Sequence, residues 1–164
     1  MKSILIIGAS RGIGLELVRQ YTEDGRRVIA TVRDDAGRER VQALGADVLT
    51  VDVAHPASVS GLAWQLDGEK LVLAIYVAGI IRRPNARTPP TQQDFDAVMH
   101  TNVLGAMQTI PQVAPLVADA GGVFAFLSSS MSQIGSVPNS DAWLYRTSKA
   151  ALNMAVAVAA AQHK

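Results

Sequence analysis

The sequence predicts an α/β fold, a doubly wound parallel sheet of the Rossmann type with strand order 3-2-1-4-5. Short apolar runs alternate with helical patterns along the 164 residues, which is typical of parallel βαβ units. The first apolar run, at residues 4–7, passes directly into a glycine-rich turn at residues 8–14 and then into a helix pattern. The run at residues 71–77 is apolar throughout, as we expect of a strand buried on both faces.

Length and composition fit a single domain with a proper core. The formal net charge of +1 gives no reason to expect a nucleic-acid or membrane-surface partner. Cysteine is absent, and His55, His100 and His163 are scattered without carboxylates at ligand spacing, so we expect no metal site. Because no apolar run is long enough to span a bilayer and the start does not resemble a signal peptide, we expect a cytoplasmic protein.

The remaining elements follow from periodicity and from turn residues. We predict five strands, at residues 4–7, 28–32, 47–51, 71–77 and 123–127. After a first helix that Gly25 closes, we predict helices at residues 36–44, 56–66, 95–118 and 143–162. Pro111 and Pro115 are expected to kink or break the third of these. The proline-rich segment 80–94 is predicted to be a loop, and long loops at strand ends tend to carry function.

The glycine-rich turn predicts a phosphate site. Gly8, Gly12 and Gly14 allow a tight turn and a close approach of another group. The following helix begins with unpaired N–H groups and the positive end of its dipole, which suits a dinucleotide pyrophosphate. Arg33 follows the second strand where an acidic residue would favour NAD, and Arg11 lies in the turn, so we expect NADP(H) rather than NAD(H). The alternatives are a plain turn and two solvated arginines.

Further polar features are predicted at the same edge of the sheet, because ligands of such folds bind at the carboxyl ends of the strands. The fourth strand ends in Ala78 and Gly79, and the fifth ends in serines. Tyr145 and Lys149 are four residues apart on a predicted helix and therefore share one face. A tyrosine hydroxyl has a pKa of ~10, and a nearby ammonium favours the phenolate, so such a pair can exchange a proton with a carbonyl or an alcohol. Taken alone, the pair is far more typical of a solvated helix surface, and its predicted position near the glycine turn and the serine-ended strand is what favours a catalytic role.

Together these motifs resemble the short-chain dehydrogenase/reductase family over essentially the whole chain. The resemblance rests on the turn at residues 8–14, Asp52-Val53, Asn102-Val103-Leu104-Gly105 and Tyr145-Arg146-Thr147-Ser148-Lys149. Val77-Ala78-Gly79 stands where the family usually has Asn-Asn-Ala-Gly, so the stabilising asparagines are replaced. The run from Tyr145 to Asn153 is most similar to the C-factor/Sniffer-type carbonyl reductase branch.

The resemblance implies roles for the matched residues. Tyr145 is expected to donate a proton to a carbonyl oxygen, and Lys149 to favour the phenolate and hold the nicotinamide ribose. Asn102 is expected to hold a water that links Lys149 to solvent. Cofactor contacts are expected at Gly8, Ser10, Arg11, Gly12, Ile13, Gly14, Arg33, Asp52, Val53, Ala78, Gly79, Tyr145 and Lys149.

The catalytic serine has three candidates after the fifth strand. In the resembled branch the second serine of a Ser-Ser pair aligns, which gives Ser129. Ser130 and Ser132 are the alternatives, because alternate residues leave a strand on opposite faces.

The expected function is NADP(H)-dependent interconversion of a small-molecule carbonyl and alcohol by hydride transfer, in a homo-oligomer. The alternative is an NADP(H)-binding sensor or signalling module without significant turnover. The family fold continues with a sixth strand and usually a seventh. We therefore expect residues 1–164 to be a single dinucleotide-binding domain that is truncated at its C-terminus.

Overall fold

A computed structural model describes residues 2–162 and contains a five-stranded parallel sheet. The strands are β1 (Lys2–Ile7), β2 (Arg27–Val32), β3 (Asp47–Thr50), β4 (Lys70–Tyr76) and β5 (Val123–Phe126). Their order is β3-β2-β1-β4-β5 and all neighbouring pairs are parallel, which confirms the predicted fold class and strand order. His163, one of the scattered histidines, lies outside the described residues.

Seven α-helices of the described residues connect or follow these strands. They are α1 (Gly12–Glu23), α2 (Asp35–Gln42), α3 (Pro56–Val59), α4 (Leu62–Gln65), α5 (Gln92–Met99), α6 (Gly105–Asp119) and α7 (Trp143–Ala161). The helix predicted at residues 56–66 is wrong as a single element, because Ser60 and Gly61 separate α3 from α4. Glycine has a low helix propensity, which explains the interruption. The loop predicted to reach residue 94 ends at Thr91, whose hydroxyl accepts a bond from the Asp94 N–H at 3.1 Å and caps α5.

Of the kink or break predicted at Pro111 and Pro115, the break does not occur, since α6 continues through both prolines. Val113 and Val117 are buried on this helix, and their packing outweighs the local cost of proline. The α-helical pattern is interrupted earlier instead, by a π-helical turn at His100–Leu104. Such turns are frequent at functional sites, and this one carries the predicted Asn102.

Alternation along the strands builds a core on each face of the sheet. Leu5 and Ile7 of β1 belong to one buried cluster, whereas Ile4 and Ile6 belong to the other. Helix residues that complete the clusters are Leu62, Val113 and Leu152 on the first face and Val18 and Val41 on the second. Helices therefore cover both faces, and the carboxyl ends of all five strands meet at one edge. Among residues 2–162, no helix combines the length and apolar character that crossing a bilayer would require.

Candidate active site

An open cleft of about 320 Å³ lies at the carboxyl edge of the sheet. Predicted residues that line it are Gly8, Ser10, Arg11, Gly12, Ile13, Arg33, Val53, Ala78, Gly79, Tyr145 and Lys149. The glycine turn after β1, the segments that follow the other four strands and the first turns of α7 are thus brought together around one cavity.

The glycine turn is shaped by close contacts that a side chain would prevent. Gly8 has a φ of +93°, and a Cβ on it would lie 2.7 Å from the Cα of Ala78. A Cβ on Gly14 would lie 2.2 Å from the carbonyl oxygen of Gly8, so the turn folds tightly against the start of α1. Gly12, with a φ of +57°, differs because a Cβ there would meet no atom within 4 Å. The lack of a side chain at Gly8 and Gly14 therefore allows close packing within the protein. At Gly12 it leaves the space beside the turn open.

The beginning of α1 fits a phosphate group. Arg11 is its N-cap in extended conformation, and no side chain caps the helix. Gly12 and Ile13, in the first turn, line the cleft, so the unpaired N–H groups and the positive dipole end lie beside it. The Arg11 and Arg33 side chains are exposed at the same place. This donor set fits the pyrophosphate of a dinucleotide together with one additional phosphate.

Asp52 and Gly14 do not line the cleft, although both were predicted to contact the cofactor. The Asp52 carboxylate accepts a bond from the Ala54 N–H at 3.0 Å and lies 3.0 Å from His55 Nδ1. Gly14 is buried behind the turn. The neighbouring Val53 lines the cleft, and the contact predicted for Asp52 stays a prediction.

Tyr145 and Lys149 lie near the start of α7 and face the cleft together. The Lys149 ammonium is 5.8 Å from the centre of the Tyr145 ring and donates a hydrogen bond to the Leu127 carbonyl at 2.8 Å. A Cβ on Gly79 would lie 3.4 Å from Lys149 Nζ, so glycine leaves room for the ammonium. Lys149 is only 4% exposed, and this burial lowers its pKa.

The Asn102 side chain is fully buried beside the cleft, and its amide forms hydrogen bonds with other protein groups. Its Oδ1 accepts a bond from the Ile80 N–H at 2.8 Å. Its Nδ2 donates to the Ile80 carbonyl and to Ser148 Oγ, both at 2.9 Å. The side chain therefore ties the π turn to the segment after β4 and to α7, while its neighbour Thr101 lines the cleft. The water-holding role that the resemblance implies for Asn102 stays a prediction.

The serines after β5 divide between the cleft and a short 3₁₀ turn at Ser130–Ser132. Ser128 lines the cleft, whereas Ser129 is half-buried beside it. Ser129 Oγ accepts a bond from the Met131 N–H at 3.1 Å. The catalytic assignment to Ser129 therefore stays a prediction.

Sequence reasoning missed other residues of the cleft wall, most of them apolar. They are Val51, Val77, Ile80, Ile81, Thr101 and Leu127, whereas Ser128, which also lines the cleft, is one of the serines predicted at this edge. Most follow the carboxyl end of a strand within a few residues, and that position was the available signal.

Comparisons with known proteins agree with this geometry. The profile of the family described as short chain dehydrogenase matches residues 2–164. The chain is 32% identical over 160 residues to a 1-hydroxy-2-glutathionyl-2-methyl-3-butene dehydrogenase of Rhodococcus sp. (strain AD45), covering 94% of this chain and 68% of that protein. It is 30% identical over 145 residues to an NADPH-dependent pterin aldehyde reductase of Arabidopsis thaliana, covering 82% of this chain and 59% of that protein. The chain thus spans only 68% and 59% of the length of these two relatives, and 50% of the length of the short-chain dehydrogenase/reductase atnB of Arthrinium sp.

Solved structures show the same architecture. A putative short-chain dehydrogenase/reductase from Burkholderia multivorans with bound NADP has a TM-score of 0.88 and 32% identity, covering 99% of this chain and 73% of that one. The putative carbonyl reductase Sniffer of Caenorhabditis elegans has a TM-score of 0.80 and 26% identity, covering 93% of this chain and 75% of that one.

Proposed function

The chain belongs to the short-chain dehydrogenase family of NAD(P)-dependent oxidoreductases, and from this we propose that it interconverts a carbonyl and an alcohol using NADP(H). The observation that carries the proposal is a single cleft with the uncapped start of α1, Arg11 and Arg33 in one part and Tyr145 with Lys149 in another. The relatives' names support it, since one relative is named an NADPH-dependent pterin aldehyde reductase and another a dehydrogenase of a 1-hydroxy compound.

The cofactor would be held by the glycine turn and the two arginines. The uncapped N–H groups of α1 would bind its pyrophosphate, and Arg11 and Arg33 its additional phosphate. A bound nicotinamide cofactor supplies the hydride for carbonyl reduction or accepts it in the reverse reaction.

The chain's own residues would handle the proton. In the reducing direction the Tyr145 hydroxyl donates its proton to the carbonyl oxygen, and the Tyr145 phenolate remains. The Lys149 ammonium, 5.8 Å from the Tyr145 ring centre, stabilises that negative charge. The Ser129 hydroxyl would donate a hydrogen bond to the same oxygen and hold it in position. In the oxidising direction the phenolate takes the alcohol proton.

The direct test is NADPH oxidation with a panel of aldehydes and ketones. Replacing Tyr145 by Phe removes only the hydroxyl, so we expect kcat to fall at least about 100-fold while NADPH affinity changes little. Tyr21→Phe, on α1 away from the cleft, is the matched control. Turnover that persists in the Tyr145 variant would remove the proposed acid. NADPH binding without turnover in the full-length protein would favour the sensor instead.

The preference for NADP(H) has its own test. Arg33→Gln and Arg11→Gln each remove a charged donor to the additional phosphate, so we expect NADPH to bind about 10- to 100-fold more weakly and NADH to bind as before. Fluorescence titration measures both affinities. Arg26→Gln, an exposed change in the turn before β2, is the control. Equal weakening of NADPH and NADH would contradict the assignment.

We also expect a homo-oligomer, as the family resemblance implies. Exposed apolar side chains on the two long helices, Met107 on α6 and Met154 and Val158 on α7, support that expectation. Sedimentation of the full-length protein measures it, and a monomer at micromolar concentration would contradict it.

A further inference from the structure

The side chain of Asn153, one helical turn after Lys149 on α7, reaches the segment that follows β5. Its Oδ1 lies 2.5 Å from Ser128 Oγ, and its Nδ2 lies 2.8 Å from Ser132 Oγ. Ser132 Oγ is in turn 2.6 Å from the carbonyl oxygen of Ser129. The side-chain amide of Asn153 thus links Ser128, which precedes Ser129, to Ser132, which follows it by three residues.

The direction of every bond in this network follows from its chemistry. The Ser129 carbonyl can only accept, so the Ser132 hydroxyl must donate its single proton to it. Ser132 Oγ must then accept from Asn153, which requires the Nδ2 side of the amide to face Ser132. The Oδ1 side faces Ser128, and because Oδ1 can only accept, the Ser128 hydroxyl must donate to it.

The candidate serines differ in whether their hydroxyl protons are already engaged. The protons of Ser128 and Ser132 are both committed within the protein. Ser129 Oγ accepts the Met131 N–H, and among residues 2–162 its own proton has no acceptor. An accepted N–H also polarises a hydroxyl and makes it a better donor. Ser128 lines the cleft, so position alone would favour it, but its proton is already engaged.

We propose that Asn153 is a positioning residue that makes Ser129, rather than Ser128, the hydrogen-bond donor to the reacting oxygen. Asn153 does so by engaging the Ser128 proton and by fixing the Ser129 backbone through Ser132. The inference rests on the proposed carbonyl–alcohol chemistry, and it concerns which serine that chemistry uses. The network includes no residue of the glycine turn, so cofactor binding is not expected to depend on it.

The serines are compared first, in the full-length protein with NADPH and one aldehyde that the wild type reduces. We expect Ser129→Ala to lower kcat at least about 30-fold, because a donor to the developing oxyanion is lost. Ser128→Ala should lower kcat less than about threefold while Asn153 is intact. A loss from Ser128→Ala as large as that from Ser129→Ala would overturn the proposal.

Asn153 is tested next with Asn153→Asp, which keeps the shape and the Oδ1 acceptor but replaces the donor to Ser132. We expect kcat to fall about 5- to 20-fold, with the KM of the aldehyde and the Kd of NADPH nearly unchanged. Thr147→Ser, a conservative change at an exposed position of α7 outside the cleft, is the control. Unchanged kcat in Asn153→Asp, or an equal change in NADPH affinity, would overturn the positioning role.

A measurement without turnover completes the test. Ser132→Ala removes the acceptor of Nδ2, so the side-chain amide signals of Asn153 should shift in ¹H–¹⁵N spectra, whereas Ser130→Ala should leave them in place. Signals that do not move in Ser132→Ala would show that the bridge is not formed. A wild-type protein that binds no NADPH and reduces no aldehyde contradicts the proposed function, and the spectra still report on the bridge.

Discussion

The two edges of the sheet are made by the same strands, and their polar residues behave in opposite ways. At the amino edge, four polar side chains bond mainly to one another: Ser3, Arg27, Asp47 and Glu69. At the carboxyl edge, the uncapped start of α1 and the exposed Arg11 and Arg33 present donors to an open cleft. Polar groups at the amino edge hold the sheet together, whereas those at the carboxyl edge remain available to a ligand.

The amino edge is a closed network centred on Arg27, at the start of β2. Arg27 forms an ion pair with Glu69, which precedes β4, and lies 3.0 Å from the carboxylate of Asp47 on β3. The Ser3 hydroxyl donates to Glu69 at 2.8 Å and accepts from Arg27 at 2.9 Å. The Arg27 guanidinium holds the pKa of Glu69 below its usual value. The network therefore joins the amino-terminal ends of β1, β2 and β3 to the residue that precedes β4, and it contributes to stability.

The carboxyl edge carries a cost that the amino edge lacks. Lys149 is buried with its ammonium on a single carbonyl, that of Leu127, and no carboxylate of residues 2–162 pairs with it. Burial of an unpaired charge opposes folding, and such costs are typical of functional sites. Polar groups that stabilise the sheet and polar groups of the proposed site therefore lie at opposite ends of the same strands.

The largest expected effect comes from Lys149→Met, which should separate the two properties. We expect kcat to fall at least about 100-fold, because in the proposed mechanism the Lys149 charge stabilises the Tyr145 phenolate, and the variant lacks that charge. The melting temperature at pH 7 should rise by about 2–5 °C, because a buried charge is removed. Lys70→Met, at the exposed start of β4 on the amino edge, should change neither kcat nor the melting temperature much.

The stability that Lys149→Met is expected to gain should decrease as the pH rises. The pKa of Lys149 is lowered in the folded protein from the ordinary 10.5, so the unfolded chain binds more protons between the two values. Wild-type stability therefore rises with pH across that window, and the advantage of Lys149→Met should shrink as pH approaches about 10. Calorimetry at several pH values measures it. A melting temperature that falls in the variant at pH 7 would contradict a net cost of burying Lys149.

Alanine substitutions of two glycines at the carboxyl edge should have different main effects, one on stability and the other on ligand binding. Gly8→Ala places a Cβ 2.7 Å from Ala78 at a φ of +93°, so we expect a loss of about 2–4 kcal/mol in the free energy of unfolding. Gly12→Ala meets no atom within 4 Å, so only about 1 kcal/mol of backbone strain is expected. Its main effect should be weaker NADPH binding, by about tenfold or more, because the methyl group enters the mouth of the turn. Urea unfolding and fluorescence titration measure the two effects, and equal destabilisation by both changes would contradict this division.

The smallest expected effect is Glu69→Gln at the amino edge. The change leaves Arg27 with a weaker partner, so we expect a loss of about 1–2 kcal/mol in the free energy of unfolding at pH 7. Because the pKa of Glu69 is lowered in the folded protein, its contribution is present above the ordinary value of 4.5 and is lost as pH falls below it. The difference between variant and wild type should therefore vanish in acid, while kcat stays unchanged at neutral pH. A large fall in kcat would show that the edges are not independent.

The fold and the two main parts of the site could be predicted because their signals are local. Apolar runs, the glycine turn and the spacing of Tyr145 and Lys149 each depend on neighbouring residues. The amino-edge network could not be predicted, since Ser3, Arg27 and Glu69 are brought together only by strand register.

Other features escaped prediction because packing decides them. The π turn at His100–Leu104 precedes Gly105, where a Cβ would lie 2.6 Å from the hydroxyl of Tyr76. Ala142, which precedes α7, is fully buried with a φ of +54°, a left-handed conformation that its side chain gives no reason to expect. The bridge made by Asn153 depends on how the segment after β5 lies against α7.

The buried amide of Asn102 has a consequence for how the cleft can open. It joins Ile80, the π turn and Ser148, which are separated by 22 and 46 residues along the chain. Moving Ile80 or Ser148 away from the fully buried Asn102 side chain would cost that side chain one or more of its hydrogen bonds in the interior. Amide protons at these three places should therefore exchange with deuterium at one common rate, as a single cooperative unit that opens far more rarely than the loops around it.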